Sequence, residues 1–296
     1  MINDKIIDLD ICLINALDLF IQKGISQIGS IDFKRPIVLG SGNAAITGKI
    51  IFEDFDAVFA DESNFIKKLG AIKNIDGAIL ISASGGKHAP IIAEELKKRN
   101  ISTTLLTNTK KSSAERLVNK TYFFDKNVEP YTYNTSTYLG MILGKTKENP
   151  KIILDTINNI AKLIPNDLSK YKSFYIIIPN EFENIREMFV TKFDELFGPM
   201  LVGRVYTPEQ TKHAKTVTDS GEELFISIGY DNLIFGKNRL NIPLPVNFNY
   251  GMLMSVGYYI IGKIQKAKPP YFKENIEAYV EKASVIFNEK LNVFVK

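Results

Sequence analysis

The stretch Ala78-Ile79-Leu80-Ile81-Ser82-Ala83-Ser84-Gly85-Gly86-Lys87-His88-Ala89-Pro90 changes character at Ser82, from an unbroken apolar run to a polar turn rich in serine and glycine. A short apolar run bounded by turn residues reads as a buried strand, and the residues from Ser82 onward read as a loop that opens a helix. Helix N-termini expose backbone N–H groups and carry the positive end of the macrodipole, so a loop here is placed to hold an anion. Ser82 and Ser84 bring hydroxyls, Gly85 and Gly86 let backbone amides approach, and Lys87 adds positive charge. Together they predict a phosphate-binding loop, although the same residue types also make ordinary turns and caps.

Working outward, further apolar runs occur at Ile37-Val38-Leu39, Ala57-Val58-Phe59, Thr104-Leu105-Leu106 and Tyr122-Phe123-Phe124, with helix-compatible segments between them. Continuous rather than alternating apolar runs suit strands covered on both faces. Their alternation with helices predicts a doubly wound parallel sheet of the α/β class. Before it, Ile6, Leu9, Leu13, Leu17 and Phe20 mark one face of an N-terminal helix with Asn3 as its cap. Asn149-Pro150 starts another helix, with Ile153, Ile157, Ile160 and Ile164 on its apolar stripe and Pro165-Asn166-Asp167 as its stop. The rhythm then restarts with a strand at Phe174–Ile178, a helix-like stretch from Glu181 to Leu196, and strands at Leu201–Val205 and Leu224–Ile228. This predicts two domains, residues 1–148 and 149–296, the second a degenerate repeat of the first.

Composition narrows the function classes. With 45% apolar residues over 296 positions, the chain can bury a large core. Asp4, Asp8 and Asp10 stand where a secretory signal needs basic and apolar residues, and the longest apolar runs fall short of a membrane span. A single cysteine, Cys12, excludes an internal disulfide and a four-cysteine metal site, which fits a reducing cytoplasm. The net charge of +4 is spread along the chain, so no nucleic-acid partner is expected.

Three segments carry a family resemblance. Ser82–Lys87 is similar to the Ser-x-Ser-Gly-x-Thr loop with which sugar isomerase (SIS) domains hold a sugar phosphate, with Lys87 standing where the family has Thr. Gly40-Ser41-Gly42-Asn43 resembles the family's first glycine loop, and Thr135-Ser136-Thr137, after Glu129, its third ligand loop. The resemblance implies that these residues, with His88, surround a phosphorylated sugar. They should cluster outside the carboxyl ends of the strands.

In the second half, Glu195-Leu196-Phe197-Gly198-Pro199 and Pro208-Glu209-Gln210-Thr211-Lys212-His213 resemble the bifunctional phosphoglucose/phosphomannose isomerases. The resemblance implies that His213 assists ring opening and that Glu195 moves a proton between neighbouring carbons through a cis-enediol, with Glu209 as an alternative base. It also implies a homodimer in which His213 serves the neighbouring subunit's site. Such chemistry needs a positioned acid and base and no metal or organic cofactor. The family's C-terminal site lysine has no counterpart around Ile276–Val280.

Two other readings use the same residues. A noncatalytic phosphosugar sensor would keep the serine loop and have no need of Glu195 or His213. Alternatively, Gly40–Ala45 satisfies Gly-x-Gly-x-x-Ala between a strand and a helix, and Asp61 ends the next strand, as in an NAD-dependent oxidoreductase. Asp61 is equally suited to capping a helix.

Overall fold

The computed structural model describes residues 5–295, and Asn3, the expected cap of the first helix, lies outside the described residues. The first helix, α1 (Leu9–Lys23), buries Leu9, Leu13, Leu17 and Phe20 as their spacing predicts. Ile6 is buried too but precedes the helix.

The chain forms two compact units that interleave along the sequence. One comprises Gln22–Asn127 and Ser136–Lys147; the other comprises residues up to Ile21, Val128–Thr135 and residues from Glu148 onward. The start of the chain clusters with the later half because α1 meets a helix near the C-terminus. The Leu9 N–H donates to Gln265 Oε1 at 2.9 Å, and Gly262 lies against the backbone of Asp10.

The first unit is built from β1 (Pro36–Leu39), α2 (Asn43–Ile51), β2 (Val58–Ala60), α3 (Phe65–Ala71), β3 (Gly77–Ile81), α4 (His88–Lys98), β4 (Thr103–Thr107) and β5 (Lys120–Phe123). The strands form one sheet in the order β2-β1-β3-β4-β5, and every pairing is parallel. Ile37, Leu39, Leu80 and Leu105 are buried against Ala89, Ile92 and Leu96 of α4. Each such aliphatic side chain contributes about 1.5–3 kcal/mol by leaving water. After β6 (Glu129–Pro130), α5 (Thr135–Thr146) supplies the remainder of this unit.

The second unit contains α6 (Pro150–Ile160), β7 (Ser173–Ile177), α7 (Arg186–Phe197), β8 (Val202–Tyr206), α8 (Pro208–Lys212), β9 (Glu223–Ile228), β10 (Asn238–Ile242), α9 (Tyr250–Ala267), α10 (Tyr271–Ile286) and β11 (Phe294–Val295). Its sheet has the order β10-β9-β7-β8, again all parallel. Helix α9 is buried nearly all round, as a central packing helix must be. Its N-terminus is held by Glu148, whose carboxylate accepts the N–H groups of Asn249, Gly251 and Met252 at 2.7–3.0 Å.

Several boundaries differ from those the sequence predicts. Asn149 caps α6 as expected, but the helix ends at Ile160, so Ile164 lies beyond it. The expected helix from Glu181 to Leu196 is broken: Asn180–Ile185 is a 3-10 turn with Phe182 outside helical dihedrals, and the α-helix begins at Arg186. No helix among the described residues is long and apolar enough to cross a membrane.

Candidate functional site

In the first sheet the chain runs from β1 to β2 on one side and then crosses to β3 on the other. The topological switch point therefore lies between β1 and β3, where open α/β sheets form their ligand crevice. Leu39 pairs in register with Leu80, so Gly40–Asn43 and Ser82–His88 leave adjacent strands side by side.

The serine loop is tightly braced. Ser82 Oγ accepts the Gly85 N–H at 3.1 Å, Ser84 Oγ accepts the Gly86 N–H at 3.2 Å, and the Ala83 carbonyl takes the hydroxyls of Thr107 and Thr109. Gly85 has φ +61°, and a Cβ there would lie 2.2 Å from Ser112 Oγ, so only glycine fits.

The residues before α2 and α4 share one backbone conformation, Gly42 at φ 54°, ψ −127° and Lys87 at φ 54°, ψ −115°. Glycine adopts it freely, whereas lysine adopts it at a cost of about 1–3 kcal/mol. Positive φ also occurs at Lys111 and Lys147, so the strain alone does not mark Lys87 as functional. His88 begins α4 and is half-buried. At the head of α2, Asn43 Oδ1 is buried without a hydrogen-bond partner among the described residues.

Thr135, Ser136 and Thr137 are buried, their side chains turned into the protein. The Thr135 N–H donates to Glu129 Oε2 at 2.5 Å, and Ser136 Oγ accepts the Asn127 N–H at 2.9 Å. Just before them the backbone is strained, with Thr132 at φ +79° and Asn134 at φ +46°.

Glu195 lies in the last turn of α7, where its side chain keeps 22% of its surface accessible beside the wholly buried Lys192. Lys192 Nζ donates to Glu195 Oε2 at 2.6 Å and to the Thr132 carbonyl at 2.8 Å, and faces the Tyr258 ring. Burial pushes the Glu195 carboxyl above its ordinary range, opposed chiefly by the Lys192 charge. Sequence reasoning missed Lys192, although it falls on the buried stripe of Met188, Phe189, Phe193 and Leu196, where a lysine needs a partner.

Glu209 and His213 occupy a different place. Thr207 and Gln210 form a capping box that starts α8. Glu209 on its first turn is exposed and pairs with Lys212 at 2.6 Å. His213 follows the helix and is exposed. Helix α7 runs antiparallel to β8: Arg186 at its start donates to the Val205 carbonyl, and the Phe193 ring near its end lies over Gly203. Glu195 thus sits at the beginning of β8 and His213 beyond its end, separated by a strand of about 17 Å. Within one chain the two do not meet.

Asp61 accepts the N–H groups of Ser63 and Asn64 and the Ser63 hydroxyl, which holds its carboxyl below the usual range and organises the turn into α3. Among the described residues no group of three His, Cys, Asp or Glu side chains is arranged to hold a metal ion.

No protein-family model matches the chain, and no curated protein matches it. Solved structures do. Tagatose-6-phosphate ketose/aldose isomerase from Escherichia coli superimposes with a TM-score of 0.61 at 11% identity, covering 88% of this chain and 89% of that one. Glucosamine-6-phosphate deaminase from Thermotoga maritima gives 0.59 at 15% identity, covering 87% and 91%. The C-terminal domain of glucosamine-fructose-6-phosphate aminotransferase from Francisella tularensis gives 0.56 at 12% identity, covering 91% and 94%. At such identities the likeness is one of fold: an α/β architecture of two all-parallel sheets flanked by helices, as in these structures.

Proposed function

We propose that the chain is a phosphosugar isomerase that interconverts an aldose phosphate and a ketose phosphate, with glucose 6-phosphate or mannose 6-phosphate and fructose 6-phosphate as its substrates. The observation that carries this reading is Glu195, a half-buried carboxylate with raised proton affinity, held in place by a buried lysine. A base that must take a proton from carbon near neutral pH is made in this way. The serine loop at the switch point of the first sheet supplies the anion site for the phosphate, with Lys87 and the N-terminus of α4 as its positive elements. The isomerase, the deaminase and the aminotransferase that share the fold are all proteins named for a sugar 6-phosphate.

In this mechanism a histidine gives a proton to the ring oxygen as the anomeric hydroxyl loses one, opening the sugar. Glu195 then takes the proton from C2 of the aldose, its C–H electron pair becoming the C1–C2 double bond of a cis-enediol, and returns that proton to C1, while the C1 oxygen gains the proton that the C2 hydroxyl gives up as C2 becomes the carbonyl. Because Glu195 and His213 lie at opposite ends of β8, the histidine comes from a second copy of the chain. The active species in this reading is a homodimer with shared sites, and its single cysteine suits the cytoplasm.

Thermal unfolding of the purified protein with fructose 6-phosphate, glucose 6-phosphate, mannose 6-phosphate, the free sugars and NAD, followed by an isomerisation assay, tests the reading. Stabilisation by a sugar phosphate with turnover is expected. Stabilisation without turnover identifies a sensor, and stabilisation by NAD alone identifies an oxidoreductase using Gly40–Ala45 and Asp61.

A further inference from the structure

His213 stands between two anchors that meet on one aromatic ring. On its N-terminal side, Thr211 of α8 is buried, and its Oγ1 accepts the Tyr175 hydroxyl at 3.1 Å. On its C-terminal side, Arg204 of β8 reaches the segment that follows. Nη1 donates to the Lys215 carbonyl at 2.6 Å and Nη2 to Thr216 Oγ1 at 3.2 Å. The guanidinium lies over the same Tyr175 ring, 4.7 Å from its centroid. Glu223, at the start of β9, orients it, both carboxylate oxygens accepting from Nη2 at 2.7 Å. All of these residues belong to the second unit.

The topology explains why an arginine is needed here. Strands β8 and β9 flank β7, so the connection between them passes over β7, and after α8 it does so without a helix or strand. A helix fixes its backbone by its own hydrogen bonds, whereas a loop depends on other partners. Burial does not hold this one, since His213, Ala214 and Lys215 are exposed and Val217 is 89% exposed. Arg204, Tyr175 and Phe225 lie in one row across the three strands, which brings the guanidinium to the face beneath the loop. Its planar fork serves a carboxylate, a carbonyl and a hydroxyl at once, as a lysine ammonium on a flexible stem does not. Resting on the isomerase reading, in which His213 opens the sugar ring, we infer that Arg204 is a positioning residue for His213. It touches no substrate and moves no proton. It fixes the chain just after the imidazole while Tyr175 fixes the chain just before it, so that the acid keeps one approach to the ring oxygen. Misplacing a reacting group by about 1 Å lowers a rate by about 10²-fold.

Arg204→Lys keeps a cation beside Glu223 and loses the fork, so the sheet keeps its ion pair while Lys215 and Thr216 are released. Thr216→Val removes one loop contact and leaves the Glu223 pair intact. With glucose 6-phosphate as the probe, Arg204→Lys should lower kcat by about 10–10²-fold with KM changed by no more than about threefold, and Thr216→Val should lower kcat by less. The chain has two histidines, so proton NMR reads each of them separately. The imidazole signal of His213, identified by its loss in His213→Ala, should shift or broaden in Arg204→Lys while that of His88 stays in place. An unchanged kcat overturns the assignment, as does an unmoved His213 signal. A lower kcat with both imidazole signals displaced marks general damage to the fold and also overturns it, and so does a loss confined to KM. If the wild type turns over none of the three hexose 6-phosphates, the isomerase reading fails. The hold of Arg204 on His213 then stands if the His213 signal alone moves in Arg204→Lys, and falls if it does not.

Discussion

Replacing Lys192 by methionine removes the charge on which the buried end of α7 depends. The ammonium is wholly buried and bonds Glu195 and the Thr132 carbonyl, so its loss leaves a desolvated carboxylate with no cation beside it. Breaking a buried pair by removing one member costs about 3–5 kcal/mol. With an unfolding entropy of about 2.1 cal/mol/K per residue over this chain, that is a fall in melting temperature of about 5–8 °C. The loss depends on pH in a definite direction. Glu195 has a folded pKa raised by burial, so its protonated form favours the folded state at low pH, and that contribution is lost as pH rises through the folded value. Without Lys192 the folded value rises further and the loss extends to higher pH, growing by about 1.4 kcal/mol per pH unit until Glu195 ionises. Unfolding of wild type, Lys192→Met, Glu195→Gln and the double variant at pH 5 and pH 8 measures this directly. The penalty for Lys192→Met should be larger at pH 8, and the double variant should recover much of it because glutamine needs no counter-charge. A penalty equal at both pH values, together with additive single variants, would refute the buried ion pair.

The division between loop and base leads to further expected outcomes. Ser84→Ala should weaken sugar-phosphate binding by about tenfold or more, since a hydrogen bond to a charged acceptor is worth about 1.5–3 kcal/mol. His213→Ala should slow turnover at near-constant binding, and titration calorimetry beside steady-state kinetics separates the two; equal loss of binding in both contradicts the assignment. Mixing inactive Glu195→Gln with inactive His213→Ala under conditions of subunit exchange should restore up to about a quarter of wild-type activity if His213 acts across the dimer. No recovery despite exchange would place the whole site within one chain.

The first sheet is legible in the sequence because its central strands are covered on both faces, which writes Ile37–Leu39, Ala78–Ile81 and Thr104–Leu106 as unbroken apolar runs. Strand β10 is not, since Asn238-Arg239-Leu240-Asn241-Ile242 is a strand only because it pairs with β9, and only Ile242 is fully buried. The two-residue pairing of β6 with β11 is likewise set by tertiary context. At the candidate site, serine and glycine announce a loop locally, and the loop is where they place it. The separation of Glu195 from His213 arises from a parallel β–α–β crossover and was implicit in the predicted strands. Thr132 has no sequence signal, because its positive φ and its place beside Lys192 and Glu195 arise only in the folded chain. Lys192 lay in view, as a charge on an apolar stripe.

The two halves share an architecture but not the same use of it. In the first sheet the switch point between β1 and β3 is left to glycine and serine loops. In the second sheet, β7 and β9 meet at the corresponding place, and on one face of the sheet Tyr175 and Phe225, paired in register at mid-strand, stack with ring centroids 4.5 Å apart while Tyr206, Tyr230 and Phe235 pack against them. The chain after β7 passes directly into Pro179 and a 3-10 turn, which offers no glycine loop. A second phosphate site built on the first plan is therefore absent there among the described residues. What the second unit contributes instead comes from the far end of a helix, where α7 delivers Glu195 to the strained Thr132–Thr135 segment. The aromatic cluster on the face of the second sheet gives that sheet rigidity. In the proposed isomerase that rigidity would serve Glu195, a base whose position, rather than whose mobility, determines the rate.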